Sequence, residues 1–275
     1  IDADYKLIGY TVRGVGIHGS AVQWFANRFP AGTIDNYQIE SHAKDSNIST
    51  GAWRAPRSNF IAFAEQTFLD EIAHELGKDP IEFRLELFDK AIKSPAGENN
   101  DYDPERYAGV LKLVKEKSNW GQEETGVTRG VSAYNCHNSY VAQVIDLEMN
   151  NGKPRVKKVW CAIDCGIVVN PEGALNQVEG GIIDGIGHAM YSEMTFTKGV
   201  PDQNNFNNYR LIRHNEAPLA IETFFVNNGI DPTGLGEPSL PPIAAALANA
   251  LYKATNRRVS SQPMMREIGT PIEIG

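Results

Sequence analysis

The most constrained carboxylate in this chain is Glu237, set in Gly234-Leu235-Gly236-Glu237-Pro238-Ser239-Leu240-Pro241-Pro242. Gly234 and Gly236 let the backbone turn tightly and approach a ligand closely, while Pro238 restricts Glu237 to extended conformations. Prolines 238, 241 and 242 stiffen the segment. A carboxylate held this way suits a general base, which needs fixed geometry first and a tuned pKa second. The bland alternative is a helix-entry loop with a solvated glutamate.

A second group is Gly51-Ala52-Trp53-Arg54-Ala55-Pro56-Arg57-Ser58-Asn59, leading into a predicted helix at Phe60. A loop at a helix N-terminus presents unpaired amides and the positive end of the dipole, which favour anions. Arg54 and Arg57 add fork-shaped donors suited to phosphate or oxo groups. Equally, Ser58 or Asn59 is a plain N-cap and both arginines lie on the surface. A third group runs from Asn176 to His188 and holds Gln177, Gly180, Gly181, Gly185 and Gly187. Four glycines in one helix cost roughly 1 kcal/mol each relative to alanine, so something must offset them. Gly181 and Gly185 share a face that a neighbouring helix or a flat cofactor could approach, with Gln177 as a donor towards such a ligand.

The elements that position these groups follow from periodicity and punctuation. Residues 5–50 read as strands and loops. Asn59 to Leu76 reads as a helix whose stripe is Phe60, Phe63, Ala64, Thr67, Phe68 and Ile72, closed by Gly77. Asp79-Pro80 caps a second helix with Phe83 and Leu87 facing inward. A polar loop over 94–104 precedes a helix over 104–118. Strand patterns fill 127–164, with a hairpin turn at Asn151-Gly152. Asn170-Pro171 opens a helix to about Tyr191, and a last helix runs from Pro242 to Thr255, stopped by Asn256. Separate strands and helices say α+β, as one unit over 1–275 with sub-lobes near 1–120 and 121–275.

Composition bounds the function. A net charge of −8 argues against a surface that tracks nucleic acid. No apolar run approaches the roughly 20 residues that span a bilayer. The chain opens at Ile1 without methionine or signal peptide, and reads as the middle of a longer gene product. Cys136, Cys161 and Cys165 are too few and too irregular for a disulfide framework or an iron–sulfur site. They read as buried thiols; zinc would need further ligands, of which His137 is the obvious one. His137 and His188 read as structural histidines, and Asp164 as a strand-end residue bonding loop amides.

Together these segments resemble one family. GAWRAP with FAEQTFLDEIAHELGKDPIEFR, IDCGIVVNP with NQVEGGIIDGIGHAMYSE, NNFNNYRLIRHNEAP and GLGEPSLPPIAAALANALYKATNRR are similar to the xanthine dehydrogenase and aldehyde oxidase family. The resemblance runs from about residue 9 to 263, and its GEPSLPP and NFNNYRLIR forms are most like the isoquinoline 1-oxidoreductase beta-subunit branch. It implies a bacterial molybdenum hydroxylase domain of mixed sheets and packed helices, with Glu237 as base. Trp53, Arg54, Ala55, Gln177, Gly180, Gly181 and Gly236 would then border a molybdopterin, expected as the cytosine dinucleotide with molybdenum, and no residue here would ligate a metal. It further implies a small-molecule substrate, an N-heterocycle or aldehyde, and electron transfer to a small subunit carrying [2Fe-2S] clusters. The Gly-Gln-Gly loop of the family is not in this sequence and is expected upstream, so the chain supplies part of a cofactor site and is expected to be inactive alone. For the full-length protein a periplasmic or membrane-associated place is favoured over the cytoplasm. The alternatives are a structural or interaction module, and a hydrolase pairing Glu237 with Asp231.

Overall fold

The computed structural model describes residues 1–2, 4, 6–17 and 23–268. Strands β1 (Tyr10–Ile17) and β2 (Tyr37–Lys44) pair in parallel, with Tyr10 stacked on Tyr37 at 5.7 Å between centroids. Three helices follow: α1 (Ser58–Glu75), α2 (Pro80–Lys93) and α3 (Pro104–Lys117). The chain then builds β3 (Val127–Cys136), β4 (Ser139–Asn150), β5 (Lys153–Asp164) and α4 (Pro171–Met190). A short hairpin of β6 (Phe196–Thr197) and β7 (Val200–Pro201) leads to β8 (Ala220–Phe225), α5 (Pro241–Thr255) and α6 (Met265–Ile268).

The central sheet has the order β3-β4-β5-β8, antiparallel except for the parallel β5–β8 pair. Both of its faces are covered, so its strands carry apolar residues on both sides. Val141, Ile145, Cys161 and Ile163 pack with α4 and α5. Val144, Ala142, Trp160 and Ala162 pack with α2 and α3 on the other face. The many alanines of α5 allow its backbone to lie directly on β3. A Cβ added to Gly130 would sit 2.0 Å from the Ala246 carbonyl oxygen. This is the expected α+β arrangement of mixed sheets and packed helices.

Local punctuation acts as the sequence indicates. Asp79 accepts from the amides of Ile81 and Glu82, and Asn170 from that of Gly173. Gly77 closes α1 with φ +64°, and Asn256 ends α5 with φ 56°. Asn151 and Gly152 both take positive φ in the β4–β5 turn. Asp164, at the end of β5, accepts from the Gly166 amide at 3.3 Å and is gripped bidentately by Arg106.

The face of α1 is the main correction. Of the predicted stripe only Phe63 and Ile72 are buried, while Phe60 is 46% and Phe68 41% exposed. The inward face instead carries Ile61, Leu69 and Ala73 with Glu65, Gln66 and Asp70. These polar groups are tolerated because most have partners. Gln66 Oε1 accepts from buried Arg84 at 3.0 Å, and Asp70 from Arg258 at 2.7 Å. Hydropathy periodicity assigns such residues to solvent; pairing reverses the assignment. The expected cap is also corrected: Arg57 holds the N-cap position with φ 65° and no side-chain cap bond.

Glu65 differs from its neighbours because burial pushes its carboxyl up to about 8, against the opposing influences of Tyr134 and Arg28. A carboxyl raised in the folded state binds a proton that the unfolded chain releases, so stability falls as pH rises from about 4.5 to about 8. Replacing Glu65 with Gln removes that cost. Thermal unfolding of Glu65→Gln against wild type is expected to show a gain near zero at pH 5 that grows towards pH 8. A pH-independent difference would contradict the burial argument.

Candidate active site

One backbone oxygen gathers the three segments singled out in the sequence. The carbonyl of Gly236 accepts from Arg54 Nη2 at 2.7 Å, from Arg54 Nε at 3.1 Å and from Gln177 Nε2 at 2.9 Å. Arg54 also donates to the Gln177 carbonyl at 3.3 Å and to Asp184 Oδ2 at 3.4 Å. The loop before α1, one face of α4 and the glutamate loop are thereby tied together. Asp184 in turn accepts from His188 Nε2 at 3.2 Å, and the Trp53 ring lies over His188 with centroids 3.9 Å apart. Burial acts to raise the Asp184 carboxyl, but His188 and Arg54 outweigh it and hold the group below the usual range.

The glutamate loop is anchored from within the sheet as well. Gln143 of β4, fully buried, donates to the Ser239 carbonyl at 2.8 Å. Ser139, the first residue of β4, donates to the Gly234 carbonyl at 2.5 Å. Within the loop the Leu240 amide donates to the Glu237 carbonyl at 3.0 Å. Close approach explains Gly181, because a Cβ there would lie 2.1 Å from Ser239 Oγ and 3.4 Å from Arg54 Nη2. Gly185 is filled in the same way by Ile243, whose Cγ2 would lie 2.4 Å from an added Cβ. Four of the five α4 glycines meet side chains from outside their own helical backbone; Gly180 alone faces open space.

Glu237 itself is part-exposed, with its side chain at 32%, and contacts the imidazole Nε2 of His137 through Oε2. His137 and Asn138 form a two-residue turn between β3 and β4, both with positive φ (52° and 59°). Such a turn matches the twist of its strands and suits Asn and His better than most residues. His137, expected as a structural histidine, instead lies in a hairpin turn whose sequence signal is two left-handed-tolerant residues between apolar strand patterns. Gln143, Ser139 and Asp184 were likewise not singled out, since nothing local distinguishes a buried amide or hydroxyl from any other.

The expected site residues thus converge, though not all in the expected posture. Arg54 is turned inward onto protein acceptors. Ala55 is fully buried against Cys136 and Leu240, with φ 56°. Asn59 donates to the Arg54 carbonyl at 3.0 Å and so staples the loop. Two left-handed non-glycine residues, Ala55 and Arg57, within three positions cost roughly 1–2 kcal/mol each and persist because the packing fixes them. The amides of Gly51, Ala52 and Trp53 have no acceptor among the described residues. They border an open concavity of about 590 Å³ with Arg57, Asn59 and Phe60.

Comparison with known proteins identifies the family and the fold. A family model described as the molybdopterin cofactor-binding domain matches residues 72–218, more than half of the 275 residues, and the chain belongs to that family. The fold is that of the crystal structure of quinoline 2-oxidoreductase from Pseudomonas putida 86, with a TM-score of 0.74 at 13% identity, covering 99% of this chain and 61% of that one. Isoquinoline 1-oxidoreductase subunit beta of Brevundimonas diminuta is 31% identical over 210 residues, which is 74% of this chain and 25% of that protein. A membrane-bound aldehyde dehydrogenase [pyrroloquinoline-quinone] of Gluconacetobacter polyoxogenes is 27% identical over 273 residues, 90% of this chain and 34% of that one. The chain therefore spans between 25% and 34% of the length of these two relatives. The family resemblance read from the motifs is correct.

The packing yields a contrast between adjacent glycines of α4. Gly181→Ala is expected to lower stability by roughly 1–3 kcal/mol, because Ser239 and its loop must shift. Gly180→Ala is expected to be neutral or to stabilise by up to about 1 kcal/mol. Thermal unfolding of the two variants measures this, and equal shifts would contradict the close approach of α4 to Ser239.

Proposed function

We propose that the full-length protein to which this chain belongs is a molybdenum hydroxylase that oxidises an electron-poor carbon of an N-heterocycle or an aldehyde, with Glu237 as base. The observation that carries this reading is the sharing of the Gly236 carbonyl by Arg54 and Gln177, which ties the segment bearing Glu237 to the Trp53 loop and to α4.

The residues present suit a molybdopterin. The amides of Gly51, Ala52 and Trp53, without an acceptor among the described residues, offer donors to an anionic group, and Gly180 offers room beside the Gln177 amide. Trp53, Gln177 and Gly180 would meet the cofactor directly. Arg54, Ala55, Gly181 and Gly236 would hold the loops that surround it. Bound there, the cofactor would supply the oxygen delivered to substrate and accept the electrons. Glu237 would accept a proton at its carboxylate, with its loop fixed by Gln143 and Ser139. Trp53, braced on His188, would wall the site on one side. The remainder of the polypeptide would complete the pocket, the cofactor would carry the cytosine dinucleotide, and electrons would leave through a small subunit with [2Fe-2S] clusters. Several relatives are named as subunits, which supports the expectation of a partner subunit.

In the full-length protein, Glu237→Gln is expected to retain molybdenum content while kcat falls by at least about a hundredfold. Metal analysis alongside steady-state assays with N-heterocycles and aldehydes measures both. Near-normal turnover in the variant would end the assignment of Glu237 as base.

A further inference from the structure

His137 has features that packing alone does not require. Its backbone sits at the tip of the β3–β4 hairpin with φ 52°, in a turn that leaves no slack between Cys136 and Ser139. The His137 carbonyl accepts from the Gly234 amide at 3.1 Å. A Cβ on Gly234 would lie 2.5 Å from the His137 Cβ, so only glycine lets the loop come this close. Two residues on, Ser139 Oγ bonds both Thr233 Oγ1 at 2.7 Å and the Gly234 carbonyl. The hairpin tip and the glutamate loop therefore move as one body, and the His137 ring projects from it to Glu237 Oε2.

A carboxylate only accepts, so the imidazole nitrogen facing it carries the proton and donates. Glu237 Oε1 has no hydrogen-bond partner among the described residues. The His137 side chain is 50% exposed and that of Glu237 32%, so the pair is reached by solvent.

We propose that His137 is the positioning residue of Glu237. By donating to Oε2 it selects Oε1 as the oxygen that accepts the substrate-side proton, and it fixes the direction in which that oxygen points. The hairpin tip is thereby a functional part of the base, coupled to it through the backbone at Gly234 and through the side chain at Oε2. A base whose lone pair must meet a reacting proton within hydrogen-bond reach gains from such orientation, and displacement by about 1 Å can cost a hundredfold in rate. This inference rests on Glu237 being the base.

The test uses the full-length protein with His137→Leu and His137→Gln. Neither substitute is β-branched, so both bear a similar cost in the left-handed turn, and only Gln restores a donor near the Nε2 position. His137→Leu is expected to lower kcat by about tenfold to a hundredfold with KM changed by less than about threefold, and His137→Gln to recover most of the loss. In cofactor-free full-length protein labelled with [15N]histidine, Glu237→Gln is expected to move the His137 Nε2 resonance, which His137→Leu identifies by its disappearance. Unchanged kcat in His137→Leu, equal losses in Leu and Gln, or a His137 resonance indifferent to Glu237→Gln would each overturn the proposal. An active Glu237→Gln protein would instead sink the base assignment; an active His137→Leu beside an inactive Glu237→Gln sinks only the role of His137.

Discussion

The carbonyl oxygen of Gly236 is the point on which the site depends. It lies in a loop that has no regular secondary structure to fix it, yet it receives a charged fork and an amide from two other segments. A hydrogen bond to a charged group contributes roughly 1.5–3 kcal/mol when shielded from water, and somewhat less for a partly exposed pair. The larger effect is geometric. Arg54 reaches Gly236, Gln177 and Asp184 with one rigid plane, so the three segments cannot drift independently. A lysine, with a single point charge on a flexible stem, would not impose that relation.

That clamp is possible only because the backbones come unusually close. The four glycines beyond its first turn cost α4 roughly 4 kcal/mol relative to alanine. The offset comes from what occupies the vacant Cβ positions: Ser239 at Gly181, Ile243 at Gly185 and Ile212 at Gly187. The same device recurs where the alanine-rich α5 lies on Gly130 of β3. Small residues in this chain therefore serve packing first. The face bearing Gly181 and Gly185, which either a neighbouring helix or a flat cofactor could have approached, is filled by Ser239 of the glutamate loop and Ile243 of α5, and only Gly180 is left open.

Much of this was legible in the sequence, for reasons that are local. Asp79-Pro80 and Asn170-Pro171 announce helix starts because side-chain caps and a preset φ act within one turn. Asn151-Gly152 announces a hairpin for a similar reason. The illegible parts depend on distant partners. Glu65, Gln66 and Asp70 face inward on α1 because residues far along the chain, such as Arg84 and Arg258, meet two of them there. Arg54 reads as an anion fork until a carbonyl 182 residues away is brought to it. His137 reads as an ordinary histidine until the hairpin brings it to Glu237. The order of the motifs carried the family; the clamp that makes them one site is a property of the fold.

The most direct test is a crystal structure of the full-length protein loaded with its cofactor. The account predicts a Glu237 carboxylate oxygen within hydrogen-bond reach, about 3 Å, of a ligand of the molybdenum, with the Gly236 carbonyl still held by Arg54 and Gln177. A cofactor lying elsewhere, with Glu237 facing bulk water, would contradict it.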